Sequence, residues 1–94
     1  MQDDEFEWDD AKAAANYAKH RVRFETASRV FNDPLFLERL DMREGYGEER
    51  AFAIGMVDGE LLVVVYSERG GRTRLISARR ATKHEQDDYF RRTT

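Results

Sequence analysis

Two histidines and a run of arginines are the side chains of this 94-residue chain best suited to chemistry. Between Arg69 and His84 stand Arg69, Arg72, Arg74, Arg79, Arg80 and Lys83, with no Asp or Glu among them. The chain as a whole is acidic, with 16 Lys+Arg against 19 Asp+Glu. Residues 1–49 carry 7 basic and 13 acidic side chains, whereas residues 50–94 carry 9 and 6. A cationic strip on an anionic body points to a polyanion held at one place, above all an RNA or DNA backbone. The competing reading is plain solvated strand and turn surface. Guanidinium groups grip phosphate through paired N–H donors and stay charged at every relevant pH. His20 and His84 are the only histidines, and imidazole is the side chain that exchanges protons near neutrality.

The positions of these residues sharpen the roles. Arg79 closes an expected strand just before a helix start, whose free N–H groups favour an anion. Arg80 is adjacent and projects from the opposite face. Arg50 opens another strand, where an ion pair with Glu48 or Glu49 is the alternative. Arg74 shares a face with Ile76 and can lay its stem over apolar surface. Lys19 and His20 end the first helix, where a cation also suits the helix dipole. Tyr66 can stack on a base or fill the edge of the core. Arg69 flanks a glycine turn, and Lys83 and His84 open the last helix. No spacing matches a metal-binding set such as HExxH or a calcium loop, and cysteine is absent, so neither metal nor cofactor is expected.

The elements that must position these groups follow from periodicity. Ninety-four residues make one domain, residues 1–94, with a marginal core. No stretch is apolar enough to span a membrane, the acidic start lacks the order of a signal peptide, and the lack of cysteine fits a reducing cytoplasm. Phe6–Trp8 reads as a short strand preceding an acidic-capped helix from Asp10 to Lys19. In that helix Ala11, Ala14, Ala15 and Ala18 form the stripe expected to be buried, and Lys12, Asn16 and Lys19 lie on another face. Phe24, Ala27 and Phe31 suggest a second helix, stopped at Asn32-Asp33-Pro34. Strands are expected at Leu35–Asp41, Arg50–Met56, Leu61–Tyr66 and Thr73–Arg79, with a polar loop from Met42 to Glu49 and tight turns at Asp58-Gly59 and Gly70-Gly71. Thr82 and Glu85 have capping-box spacing for a last helix to about Arg91. Trp8 should anchor the first helix, and Asp3-Asp4-Glu5 should be disordered and solvated. The fold class is α+β: a small antiparallel sheet with two N-terminal helices and a C-terminal helix, all on one sheet face.

Taken in order, these residues resemble a known family. Phe6-Glu7-Trp8-Asp9 followed by Lys12, Asn16, Lys19-His20, Phe24-Glu25 and Ala27 is similar to the opening of the BrnT toxins. Val30-Phe31 with Asp33-Pro34, Glu48 with Arg50, Ile54-Gly55 and Leu62-Val63-Val64-Val65-Tyr66 continue the likeness. Arg69-Gly70, Arg74, Ile76-Ser77-Ala78-Arg79 and Ala81-Thr82 close it. The resemblance implies a RelE-like fold and a cytoplasmic ribonuclease toxin that arrests growth by cutting RNA. It also implies a partner, a BrnA-like antitoxin with a ribbon-helix-helix DNA-binding domain. That antitoxin would neutralise the toxin in a heterotetramer and carry it to operator DNA.

RNA contains its own nucleophile, the 2′-hydroxyl, so cleavage can proceed without a metal. It needs one group to take the 2′ proton, one to protonate the departing 5′ oxygen, and cations for the phosphorane. Arg79, His20, Lys19, Arg50 and His84 are the expected catalytic set; Arg74, Arg80, Lys83, Tyr66 and Arg69 are the expected RNA contacts. All should converge on a single scissile phosphodiester. A catalytically inert partner and co-repressor is the alternative. One stretch departs from the family pattern: Lys19-His20-Arg21-Val22-Arg23-Phe24 stands where Lys-His-Gly-Val-Ser-Phe is usual. A left-handed Arg21 costs about 1 kcal/mol relative to glycine, and losing the Ser cap at Arg23 costs roughly 0.5–2 kcal/mol. Either the loop geometry differs here or the charges have a use; phosphate or partner contact is the favoured use, with neutral drift the alternative.

Overall fold

Asp9 starts the helical layer. Its Oδ1 accepts the Lys12 N–H at 3.0 Å, satisfying a free donor of α1 (Asp10–His20). The computed structural model describes residues 1–41 and 49–93. The polar loop expected from Met42 onward, Glu48 included, lies outside the described residues up to Glu49. Strand β1 (Phe6–Glu7) precedes α1, and α2 (Phe24–Ala27) follows it and tightens into a 3-10 turn over Ser28–Asn32. Strands β2 (Leu37–Asp41), β3 (Arg50–Val57), β4 (Glu60–Arg69) and β5 (Arg72–Arg80) come next, and α3 (Lys83–Thr93) ends the series. The two hairpins turn through positive φ at Asp58 (49°), Gly59 (84°), Gly70 (60°) and Gly71 (80°), the mirror-image turns that match strand twist.

Among the described residues the strands form one sheet in the order β1-β5-β4-β3-β2. The four later strands pair antiparallel, as expected. Strand β1 instead pairs parallel with β5, Phe6 opposite Thr73, so the sheet is mixed. The acidic lead-in is not a loose tail. Asp3 Oδ1 accepts the N–H groups of Glu5 and Phe6 at 2.8 and 2.7 Å, and Arg72 Nε donates to the Asp3 carbonyl at 2.7 Å.

The apolar run of β4 is covered on both faces, and this sorts the helices. Leu62, Val64 and Tyr66 join Trp8, Val22, Phe24, Val30, Ala53 and Ala78 in the core beneath α1 and α2. Leu61 and Val63 face the other way and meet Ile54 and Tyr89 of α3. The expectation of helices on one face is therefore corrected: α3 covers the face opposite to α1 and α2. Trp8 anchors the first layer as expected, 6% exposed and edge-on to Phe24 at 5.7 Å. Burying a side chain such as Phe24 stabilises the fold by about 1.5–3 kcal/mol.

Two sequence-based expectations fail for local reasons. The alanine stripe of α1 faces solvent: Ala11, Ala14, Ala15 and Ala18 are exposed, and the inward face is Ala13, Asn16, Tyr17 and His20. Alanine there supplies helix propensity rather than packing. In β5 the register slips, since Val65 pairs with Ser77 and Tyr66 with Leu75. Ile76 is the extra residue, so Leu75 and Ala78 share the α1 face and Arg74 no longer shares one with Ala78.

Gly55 lies under the 3-10 turn, where an added Cβ would stand 2.8 Å from Val30 Cγ1 and 2.9 Å from the Val30 carbonyl oxygen. The backbone oxygen cannot yield without moving the turn. Gly55→Ala should destabilise the fold by about 1–3 kcal/mol through overpacking, measured by urea unfolding. A midpoint equal to that of the wild type would mean that the 3-10 turn can move aside.

Candidate functional site

Helix α1 is tied to the edge of β5 by one buried amide. Asn16 Nδ2 donates to the Ala78 carbonyl at 2.9 Å and to the Val22 carbonyl at 3.0 Å. The Ala78 N–H returns a hydrogen bond to Asn16 Oδ1 at 3.1 Å. The side chain thus acts as a one-residue strand, pairing both backbone groups of Ala78 where the sheet would otherwise stop. This attachment carries the end of α1 to the end of β5. There Arg80 Nη1 donates to the His20 carbonyl at 3.1 Å, and Arg80 Nε meets Glu60 Oε2 at 2.7 Å. Arg80 thereby meets the backbone of His20, next in the chain to Lys19.

The same end of the molecule holds a groove of about 260 Å3 bordered by Tyr17, Arg21, Arg23, Thr26, Glu60 and Arg80. Arg21 takes φ 58°, ψ 30°, the left-handed conformation anticipated for this position. Arg23 precedes α2 and makes no side-chain cap.

Arg79 leaves β5 on the opposite face. Its guanidinium is bidentate to Glu85, at 2.7 and 2.8 Å, and also reaches the Arg80 carbonyl at 3.3 Å. The hydrogen bonds from Arg79 hold the Glu85 carboxyl down at about 2 against the upward push of burial, with help from the Thr82 N–H. Glu85 also completes the capping box, accepting the Thr82 N–H at 2.8 Å while its own N–H reaches Thr82 Oγ1 at 3.2 Å. Lys83 pairs with Asp87 at 2.5 Å, one helical turn on, and His84 is exposed in the first turn of α3.

The remaining candidates lie toward the other end of the sheet. Arg74 Nη1 pairs with Glu7 at 3.1 Å, and Arg69 is exposed beside the Gly70-Gly71 turn. Arg50 is half-buried opposite Asp41. Tyr66 fills the core edge: it is 4% exposed, its ring lies edge-on to Phe31 at 5.0 Å, and its hydroxyl donates to Glu38. The expected convergence on one phosphodiester is not what the structure has. Lys19, His20 and Arg80 form one group, Arg79, Lys83 and His84 a second across the end of β5, and Arg50, Arg69, Arg74 and Tyr66 a third. The acidic partners Glu7 and Glu60 were missed because strand register brings them in, and the pairing of Glu85 with Arg79 because the turn into α3 does. Asn16 was passed over because the alanine stripe was expected to face inward and Asn16 lies off it.

Residues 8–85 match the family described as ribonuclease toxin, BrnT, of type II toxin–antitoxin system. A search of curated proteins found no match. No helix among the described residues is long and apolar enough to cross a membrane, and no group of three His, Asp or Glu side chains among them is arranged to hold a metal ion.

Removing the Asn16 amide orphans buried backbone groups at about 1–3 kcal/mol each. Asn16→Ala should therefore destabilise the fold by roughly 2–4 kcal/mol, read from denaturant midpoints; a loss no larger than that for an exposed alanine substitution would refute the strand-like role. Glu85 has a folded pKa below its ordinary value of 4.5. Its contribution is thus fully present above that value and fades as pH falls through about 2. The difference in melting temperature between wild type and Glu85→Gln should be largest near neutrality and vanish in strong acid. A difference that grows on acidification would contradict this coupling.

Proposed function

We propose that this chain, which belongs to the BrnT family of ribonuclease toxins of type II toxin–antitoxin systems, cuts RNA by metal-independent attack of a 2′-hydroxyl on the adjacent phosphodiester. The observation that carries the reading is the hydrogen bond from Arg80 to the His20 carbonyl at 3.1 Å. It ties the backbone of the residue that carries an imidazole to a guanidinium at one end of the molecule. In the reaction the 2′-hydroxyl gives up its proton as its oxygen bonds to phosphorus. The bond from phosphorus to the 5′ oxygen then breaks, and that oxygen takes a proton. The products are a 2′,3′-cyclic phosphate and a free 5′-hydroxyl. His20 is assigned the proton transfer, with Arg80 and Lys19 meeting the charge on the phosphorane.

Arg79 enters by exchanging one planar acid for another. Its bidentate grip on Glu85 has the geometry with which a guanidinium takes two phosphate oxygens. Lys83 and His84 stand in the next helical turn and serve as secondary contacts. Arg50, Arg69 and Arg74 guide the strand along the far end of the sheet. Tyr66, buried and bonded to Glu38, is withdrawn from base stacking.

Membership in a type II system implies a protein antitoxin. We assign that partner a BrnA-like form with a ribbon-helix-helix domain, assembled with the toxin as a heterotetramer in the cytoplasm and covering the basic strip. Operator DNA is then reached through the antitoxin. A second reading, an inert complex partner and co-repressor, is favoured by one observation: Arg74, Arg79 and Arg80 each already hold a carboxylate.

The decisive assay is purified chain with free RNA in EDTA and analysis of the product ends. Cyclic phosphate should form, and His20→Ala and Arg79→Ala should each slow it by about 100-fold or more while circular dichroism stays native. Expression of the wild type alone should arrest growth. Product that requires magnesium would overturn the chemistry, and no product at all would favour the inert reading.

A further inference from the structure

Arg21 and Arg23 stand where other residues would serve the backbone better. Arg21 holds a left-handed φ of 58°, a region that penalises any side chain with a Cβ. Arg23 offers no acceptor to the free N–H groups of α2 and sets a positive charge at the positive end of the helix. Neither side chain repays this with an ion pair. Both are exposed, and among the described residues neither guanidinium meets a carboxylate. Each lies instead over the ring of Tyr17, with Cζ 5.4 Å from the centroid for Arg21 and 4.2 Å for Arg23. A ring face attracts a guanidinium electrostatically and leaves its N–H edge available.

The acids on the wall of the adjoining groove are already engaged. Asp58 is bidentate with Arg29, at 2.8 and 2.9 Å, and Glu60 is paired with Arg80. The groove therefore combines neutralised carboxylates with two oriented, unclaimed cations. We infer that Tyr17, Arg21 and Arg23 form a second phosphate subsite, which grips the RNA backbone away from the phosphodiester held at His20 and Arg80. The inference rests on the function proposed above and adds where the strand runs. Arg80 borders the groove and donates to the His20 carbonyl, so the two places adjoin. A protein segment would need exposed apolar anchors; the apolar residues lining this groove, Val22, Val57 and Leu62, are themselves buried, and the exposed hydrophobic residues Met1, Leu35, Leu40 and Phe90 lie elsewhere.

The test is the double variant Arg21→Gly/Arg23→Ser in the full chain, with a short fluorescent 2′-O-methyl oligouridine that lacks the attacking hydroxyl. Affinity at low salt should fall by about tenfold or more, and the slope of log K against log salt should flatten by about 1.4, two single-strand phosphates at about 0.7 each. The melting temperature should rise, because a left-handed glycine and a serine cap suit the backbone. With cleavable RNA, KM should increase while kcat holds. Unchanged affinity and salt slope in a variant of higher melting temperature would overturn the subsite. If the wild type binds RNA through these arginines without cleaving it, the proposed reaction falls and the subsite stands. A wild type that neither binds nor cleaves removes both.

Discussion

The side-chain amide of Asn16 is the contact on which the arrangement depends. An exposed strand edge is a row of unpaired donors and acceptors, and the short β1 covers only the first part of β5. Asn16 supplies one donor group and one acceptor to Ala78 and ties in Val22 as well. That one side chain joins the helix, the turn that follows it and the sheet. Because Asn16 must point inward, the face of α1 that presents it is the buried one and the alanines turn outward. The meeting of His20 with Arg80 follows from the same geometry.

A second constraint is electrostatic. Three arginines of the basic strip, Arg74, Arg79 and Arg80, each hold a carboxylate. Exposed pairs contribute little to stability, and Arg80 with Glu60 is of this kind, each side chain 56% exposed. Such a pair can open for a stronger anion at small cost. Arg79 with Glu85 is held more firmly, since the same carboxylate caps α3. The two neighbouring arginines therefore differ in how readily they yield to a phosphate.

Much of the element order was legible because local chemistry fixes it. Asp9, the Asp58-Gly59 and Gly70-Gly71 turns, Pro34 and the Thr82–Glu85 box all act within a few residues and appear where their types demand. What escaped was set by distant partners. Four alanines at helical spacing look like an inward stripe until Asn16 finds Ala78. The apolar run of β4 implied cover on both faces, yet nothing local said that α3 supplies the second. The slip at Ile76 has no local signature and reassigns Arg74 to another face. Of the candidate site, residue types were readable and their grouping was not: alternation separates Arg79 from Arg80, but only packing joins Arg80 to α1.

The parallel pairing of β1 with β5 has a consequence in time. Phe6 aligns with Thr73, and Asn16 reaches Ala78 across 62 residues. Contacts this far apart in sequence make folding slow relative to helical bundles. During synthesis the early helix has no sheet edge to lean on until β5 has left the ribosome. The groove and the contact between Arg80 and the His20 carbonyl therefore form only after nearly the whole chain has been made.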